Sequence, residues 1–170
     1  TASTTRQMSN FFLDPNTLAF ALMLVTGLMA SVMFFVWKAQ KNYPGTQYWV
    51  LSNVAGTIGF LFVSFRGIGP EVLTVVVGNT LGVATTALAL EGNRRFLGLK
   101  PNSYIPVGMM ALYFVTQIYH TYVSPDFAFR IISASLTVSL LSFLSYRAFK
   151  EKPGVMQNVV YRTVARSFLL

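Results

Sequence analysis

The chain contains no cysteine, so neither disulfide staples nor thiolate metal sites can form. It has 1 histidine, His120, which rules out a haem held between two histidines of this chain. Only 5 residues are acidic, and they stand far apart in the sequence. Paired carboxylates for acid–base work are therefore not expected. No HExxH, no phosphate-binding Walker loop and no CxxC occurs, and no Ser-His-Asp set is plausible with acids so few. Charge is scarce in general: 11% of residues are charged, against about 25% in an ordinary soluble domain. No catalytic set, cofactor or metal site is expected.

What the chain does have is apolar length. Hydrophobic residues make up 54%, with a mean hydropathy of +0.54. Runs long enough to cross a bilayer recur along its 170 residues, which leave no room for a separate soluble domain. The net charge of +8 could suggest nucleic acid, but the basic residues fall between apolar runs and not along one solvated face. No nucleic-acid partner is expected.

Residues 71–100 organise the rest. No charge interrupts residues 72–90, about the length that spans a hydrocarbon core as a helix. Pro70 and Glu71 open the stretch, where a helix dipole favours an acid. Glu91, Arg94, Arg95 and Lys100 close it. Gly78 and Gly82 form a GxxxG, continued by Thr85, Thr86 and Ala89, a face that another helix can approach closely.

Four further spans follow the same grammar, and a sixth segment is partial. Asp14-Pro15 reads as a cap and first helical residue, and span one covers residues 17–37, with Gly27 and Ser31 as a small pair. Trp37, Lys38 and Lys41 mark its interfacial end. Asn42-Tyr43-Pro44-Gly45 is a turn into span two, residues 47–65, with Tyr48 and Trp49 as interfacial anchors. Ser52, Asn53, Gly56 and Gly59 put small and polar groups on one side of it. Span four covers residues 104–122, with Pro106 in its first turn. Span five covers residues 127–149 and carries a narrow stripe of Ser135, Ser139, Ser142 and Tyr146. Pro153-Gly154 breaks the helix, and residues 155–170 read as the start of a sixth span or as an interfacial helix. Two units are thus expected: a bundle over residues 1–152 and the beginning of a further membrane or juxtamembrane helix over 153–170. The absence of an initial methionine suggests residues upstream, and the short last segment suggests residues downstream.

Cations fix the predicted orientation. With the amino terminus outside, Lys38, Lys41, Arg94, Arg95, Lys100, Arg147, Lys150, Lys152, Arg162 and Arg166 lie inside, and only Arg6, Arg66 and Arg130 lie outside. The inner cations would meet an anionic lipid surface. Of the polar groups within spans, Asn53, Asn79, Thr85, Thr86, Gln117 and the serines read first as interhelical hydrogen bonds, worth about 0.5–2 kcal/mol each. The sharper reading gathers Asn79, Gln117 and His120 into a polar pocket in the outer half. His120 alternatively belongs to an aromatic belt with Tyr113, Tyr119 and Tyr122. Arg66, Glu71, Asp126 and Arg130 read as pairs across the outer hairpins, or Arg66 and Arg130 as the capture site of an anion. The packing set is Gly27, Gly56, Gly78, Gly82, Ser135, Ser139 and Ser142.

Several motifs are familiar: FLDPNTLAF before span one, WKAQKNYPG at residues 37–45, FRGIGPE at 65–71, GNTLG in span three and LEGNRRFLG at 90–98. Over residues 12–152 the chain resembles the multi-span amino-terminal membrane region of bacterial diguanylate cyclases (GGDEF proteins) and of some sensor histidine kinases. The resemblance implies a sensory or anchoring module in the bacterial inner membrane, followed by a cytoplasmic linker helix and an output domain, a nucleotide cyclase or a kinase, beyond this chain. The fold expected is an all-α polytopic transmembrane bundle with five clear spans. The expected partners are the lipid bilayer, a second copy of the chain, and a periplasmic or lipid-soluble ligand. A small transporter and an assembly subunit of a membrane complex are the rival classes. A transporter would favour internal repeats and helices broken near the midplane, and no clear repeat is present.

Overall fold

A computed structural model describes residues 15–39, 43–152 and 166–168. The described residues form five α-helices and no strand. Helix α1 is Pro15–Ala39 and α2 is Thr46–Ser64. Helix α3, Gly78–Phe96, is entered through a π-helical segment, Val72–Val77. Helix α4, Tyr104–Ile118, leaves through a second π-helical segment, Tyr119–Val123. Helix α5 is Phe127–Glu151. The predicted cap Asp14 and most of the predicted sixth segment lie outside the described residues.

Three helices are long and apolar enough to cross a membrane: Pro15–Ala39, Val72–Phe96 and Phe127–Glu151. The expectation of five clear spans is therefore corrected to three. The reason is local in each case. Helix α2 carries Thr46, Gln47, Ser52, Asn53 and Thr57 among its apolar residues, which dilutes its hydropathy. Helix α4 with its π segment carries Thr116, Gln117, His120, Thr121 and four tyrosines, which dilute its hydropathy in the same way. Span three, by contrast, extends past its predicted end. Glu91 and Arg95 stand one turn apart and pair at 2.8 Å, so these charges sit within the helix and do not stop it.

Helix α3 is the hub. It packs on α2, α4 and α5, whereas α1 packs on α2. In its most apolar window α3 is 39% buried, against 6% for α1 and for α5. Val83, Ala87 and Leu90 of α3 meet Tyr113 of α4 and Leu141 of α5 in one core cluster. Leu97, Ala148 and Phe149 form a second cluster near the ends of α3 and α5, and Phe168 packs against it.

The burial pattern of α2 is inverted relative to a water-soluble helix. Ser52, Gly56 and Gly59 are buried, while Leu51, Val54, Ile58 and Leu61 are exposed. Its buried side meets other small groups. Ser52 Oγ donates to the Thr85 carbonyl at 2.8 Å, and Thr57 Oγ1 donates to Thr26 Oγ1 at 3.2 Å. A Cβ on Gly59 would stand 3.0 Å from the Gly78 carbonyl oxygen, and one on Gly78 would stand 3.0 Å from Val63. The predicted GxxxG thus meets Gly59 along its backbone, at the Gly78 carbonyl and, at 3.2 Å, the Gly82 nitrogen, whereas a Cβ on Gly82 would point into open space.

At the other end of α2, Gly45 turns with φ +99° and lies against α3. A Cβ on Gly92 would meet the Trp49 ring at 2.7 Å. Trp49 is therefore no simple interfacial anchor: its Nε1 donates to Asn93 Oδ1 at 3.2 Å and its ring packs on Phe96. Arg95 lies over the Tyr48 ring at 4.4 Å. Of the predicted serine stripe, Ser135 and Ser139 are exposed and Ser142 is half-buried; Leu141, Ser145, Ala148 and Phe149 form the buried side of α5.

Gly92→Ala should therefore lower stability in detergent by about 1–3 kcal/mol, because the indole has no room to give. Gly82→Ala should leave it within about 0.5 kcal/mol or raise it slightly, since Ala suits a helix better. Thermal unfolding of the two variants side by side reads the difference.

Candidate ligand cavity

The two ends of the bundle differ in charge. At one end the start of α1 meets the end of α2, where Asn16 Nδ2 donates to the Arg66 carbonyl at 3.2 Å. By alternation of the helices this end also holds both π segments and the turn before α5. Arg66, Glu71, Asp126 and Arg130 belong to it. The opposite end holds Lys38, Arg94, Arg95, Lys100, Lys150 and Lys152, and there Arg94 pairs with Glu151 at 3.7 Å, joining α3 to α5. Arg94 also donates from Nε and Nη2 to the Lys100 carbonyl at 3.3 and 3.1 Å, which closes the turn after α3.

At the first end a cavity of about 200 Å³ opens among Arg66, Asn79, Tyr113, Phe127 and Arg130, with Val75 of the π segment in its wall. Three of the five residues singled out for ligand contact, Arg66, Asn79 and Arg130, line it together. The cations reach it from different elements. Arg66 comes from the hairpin after α2, and Arg130 from the first turn of α5. Each guanidinium carbon stands 5.7 Å from the centroid of one shared ring, Phe127.

The expected pairing across the hairpins does not occur. Neither Arg66 nor Arg130 forms an ion pair among the described residues, and neither do Glu71 or Asp126. Asp126 is occupied otherwise: its Oδ1 accepts the Phe129 N–H at 3.0 Å and caps α5. Arg130 Nη1 reaches Thr121 Oγ1 at 3.5 Å, and its Nε is shut from water without a hydrogen-bond partner.

Gln117 and His120 take other places. Gln117 is fully buried, and its Nε2 donates to the Arg130 carbonyl at 3.5 Å while Oε1 has no partner. It stands behind Arg130. His120 stacks on Phe129 at 4.2 Å, with Nδ1 at 3.3 Å from the Ser124 carbonyl, and is not in the cavity wall. The predicted convergence of Asn79, Gln117 and His120 is thus replaced by one of Asn79 with the two arginines. Tyr113 and Phe127, which sequence reasoning did not place here, complete the wall. The only signal for them was their spacing from Gln117 and Arg130 on the same helix faces.

The arrangement can attract negative charge and offer it several N–H donors. Four polar groups face a small space beside apolar walls, where charge interactions are weakly screened.

Replacing Gln117 by Ala should cost about 1–3 kcal/mol, through a buried void and the loss of its contact with the Arg130 backbone. His120→Phe should stay within about 0.5 kcal/mol, because a ring still stacks on Phe129. Chemical or thermal unfolding in detergent separates the two.

No protein-family model, curated protein or solved structure matches this chain, so its function is to be read from its own residues.

Proposed function

We propose that this chain is a multi-pass module of the bacterial inner membrane that senses for, or anchors, a cytoplasmic signalling output domain. The observation that carries the membrane part is the inverted burial of α2, which hides Ser52, Gly56 and Gly59 and turns Leu51, Val54, Ile58 and Leu61 outward. Such a surface suits hydrocarbon and not water.

The signalling part is supported by the likeness of residues 12–152 to the membrane regions of diguanylate cyclases and sensor kinases. It is supported also by the layout of the bundle. The cavity lies at one end, and the Arg94–Glu151 bridge lies at the other, where α5 leads towards the carboxyl terminus. The amino terminus and the cavity face the periplasm, and the basic end faces the cytoplasm and its anionic lipid. A ligand that favours one arrangement of the outer helix ends would shift α3 against α5 and so change the helix that leaves the membrane. Bond-making chemistry would belong to the output domain. Ser135 and Ser139, exposed on α5, offer a small-residue stripe to a second copy.

Two measurements test this. The chain has no native cysteine, so single cysteines report topology cleanly. Ile68→Cys should react with a membrane-impermeant maleimide from the periplasmic side and Lys100→Cys only from the cytoplasmic side; labelling of both from one side would refute the orientation. In the full-length parent, replacement of residues 1–152 by an unrelated membrane anchor should abolish regulation of the output. Output unchanged in level and in regulation would remove the sensing role.

A further inference from the structure

The outer cavity has the chemistry of an oxyanion site, and we infer that it binds the phosphate group of an anionic ligand. The inference rests on the sensory reading, since it names the class of molecule sensed.

The argument starts from charge. Two guanidinium carbons each stand 5.7 Å from the Phe127 ring centroid, and no carboxylate pairs with either among the described residues. Both groups carry a full positive charge, and among the described residues their contacts are with the Phe127 ring and, for Arg130, the Thr121 hydroxyl, none of them anionic. The nearest candidate acid in sequence, Asp126, is committed to the cap of α5. Arg130 is also held by its own backbone: Gln117, itself fully buried, donates to its carbonyl. The Nε of Arg130 is buried and unpartnered, although a guanidinium N–H seldom goes without an acceptor. The cavity wall thus carries two guanidinium groups and no carboxylate.

The donor set selects among anions. Each arginine offers a planar fork, and the two forks come from different elements. A carboxylate has two oxygens in one plane, enough for one fork. A tetrahedral phosphate directs oxygens to both forks and keeps another for the Asn79 amide or the Tyr113 hydroxyl. Size points the same way. A volume of about 200 Å³ lies below the roughly 300–1,000 Å³ usual for whole small-molecule ligands, so the site takes a head group and not an entire nucleotide. The phosphate could belong to a lipid head group in the outer leaflet or to a soluble molecule in the periplasm.

The test uses the full chain in nanodiscs and reads its unfolding midpoint. One arm titrates inorganic phosphate into phosphatidylcholine discs, with sodium chloride at matched ionic strength as control for screening. The other compares phosphatidylcholine discs with discs containing phosphatidic acid. A saturable rise in the midpoint is expected in at least one arm, and the arm that responds identifies the source as soluble or lipid. Arg66→Gln should weaken the apparent affinity by about tenfold or more, and adding Arg130→Gln should abolish the response. Arg66 is exposed in a hairpin, so the single variant should keep the test open if the double variant fails to fold. Arg147→Gln, an exposed change at the other end, should respond as the wild type does. No rise in either arm, a rise that chloride reproduces, or an Arg66→Gln variant that responds like the wild type would overturn the inference. A negative result here combined with lost regulation in the anchor-swapped parent would leave the sensory reading standing with another ligand. Phosphate binding combined with unchanged regulation would do the reverse.

Discussion

The structure depends on helices that meet backbone to backbone. Gly59 lies against Gly78, Gly45 against Gly92, and Ser52 reaches the carbonyl of Thr85 across the same seam. In hydrocarbon, burying a leucine yields little, because lipid tails solvate it as well as a protein interior does. What remains to hold helices together is close van der Waals contact and hydrogen bonding between small groups. Large side chains would keep the axes apart, so they are turned outward. The exposed leucines and phenylalanines of α1 and the small buried face of α2 are two results of this one constraint.

The same constraint places the cavity. Helix α3 is drawn tightly onto α2 by its glycines and onto α4 and α5 by Val83, Ala87, Tyr113 and Leu141. Towards the periplasmic end of the proposed orientation the packing opens. There α3 begins and α4 ends in π-helical segments, whose wider turns are often found at functional positions. Long polar side chains enter the space left between the helix ends. At the other end Glu91 pairs with Arg95, and Arg94 bridges to Glu151, while Lys38, Lys100, Arg147, Lys150 and Lys152 form no ion pair among the described residues. The clearest electrostatic feature of the bundle is the contrast between an end where cations far outnumber acids and one where two arginines line a cavity without an ion pair among the described residues.

Much of the helix layout was legible in the sequence, because polar breaks and prolines mark it. Tyr43 to Gly45, Arg66 to Pro70, Pro101 to Ser103 and Ser124 to Asp126 mark the joints, and the helices run between them. The central place of residues 71–100 could be read from the uncharged run 72–90 and its glycines. Less legible was which helices are apolar enough to span, since scattered hydroxyls and amides in α2 and α4 lower their hydropathy without breaking the helix. The serine stripe of α5 could not be resolved from its spacing: a shift of a few residues around the helix turns Ser145 inward and leaves Ser135 and Ser139 outside. At the cavity, Arg66, Asn79 and Arg130 stood out as polar groups in apolar surroundings. Phe127 did not, because an aromatic at a helix end looks like an ordinary interfacial residue. The Trp49–Asn93 bond was hidden for the same reason.

Helix α1 is bound to the bundle through α2, by the seam where Gly27 faces Thr57 and Thr57 meets Thr26. Every contact in that seam is a property of the two helices alone. The first helix of one molecule would therefore fit the second helix of its neighbour as well as its own. An exchange of first helices between two copies would conserve the seam and tie them into a pair without needing a new interface.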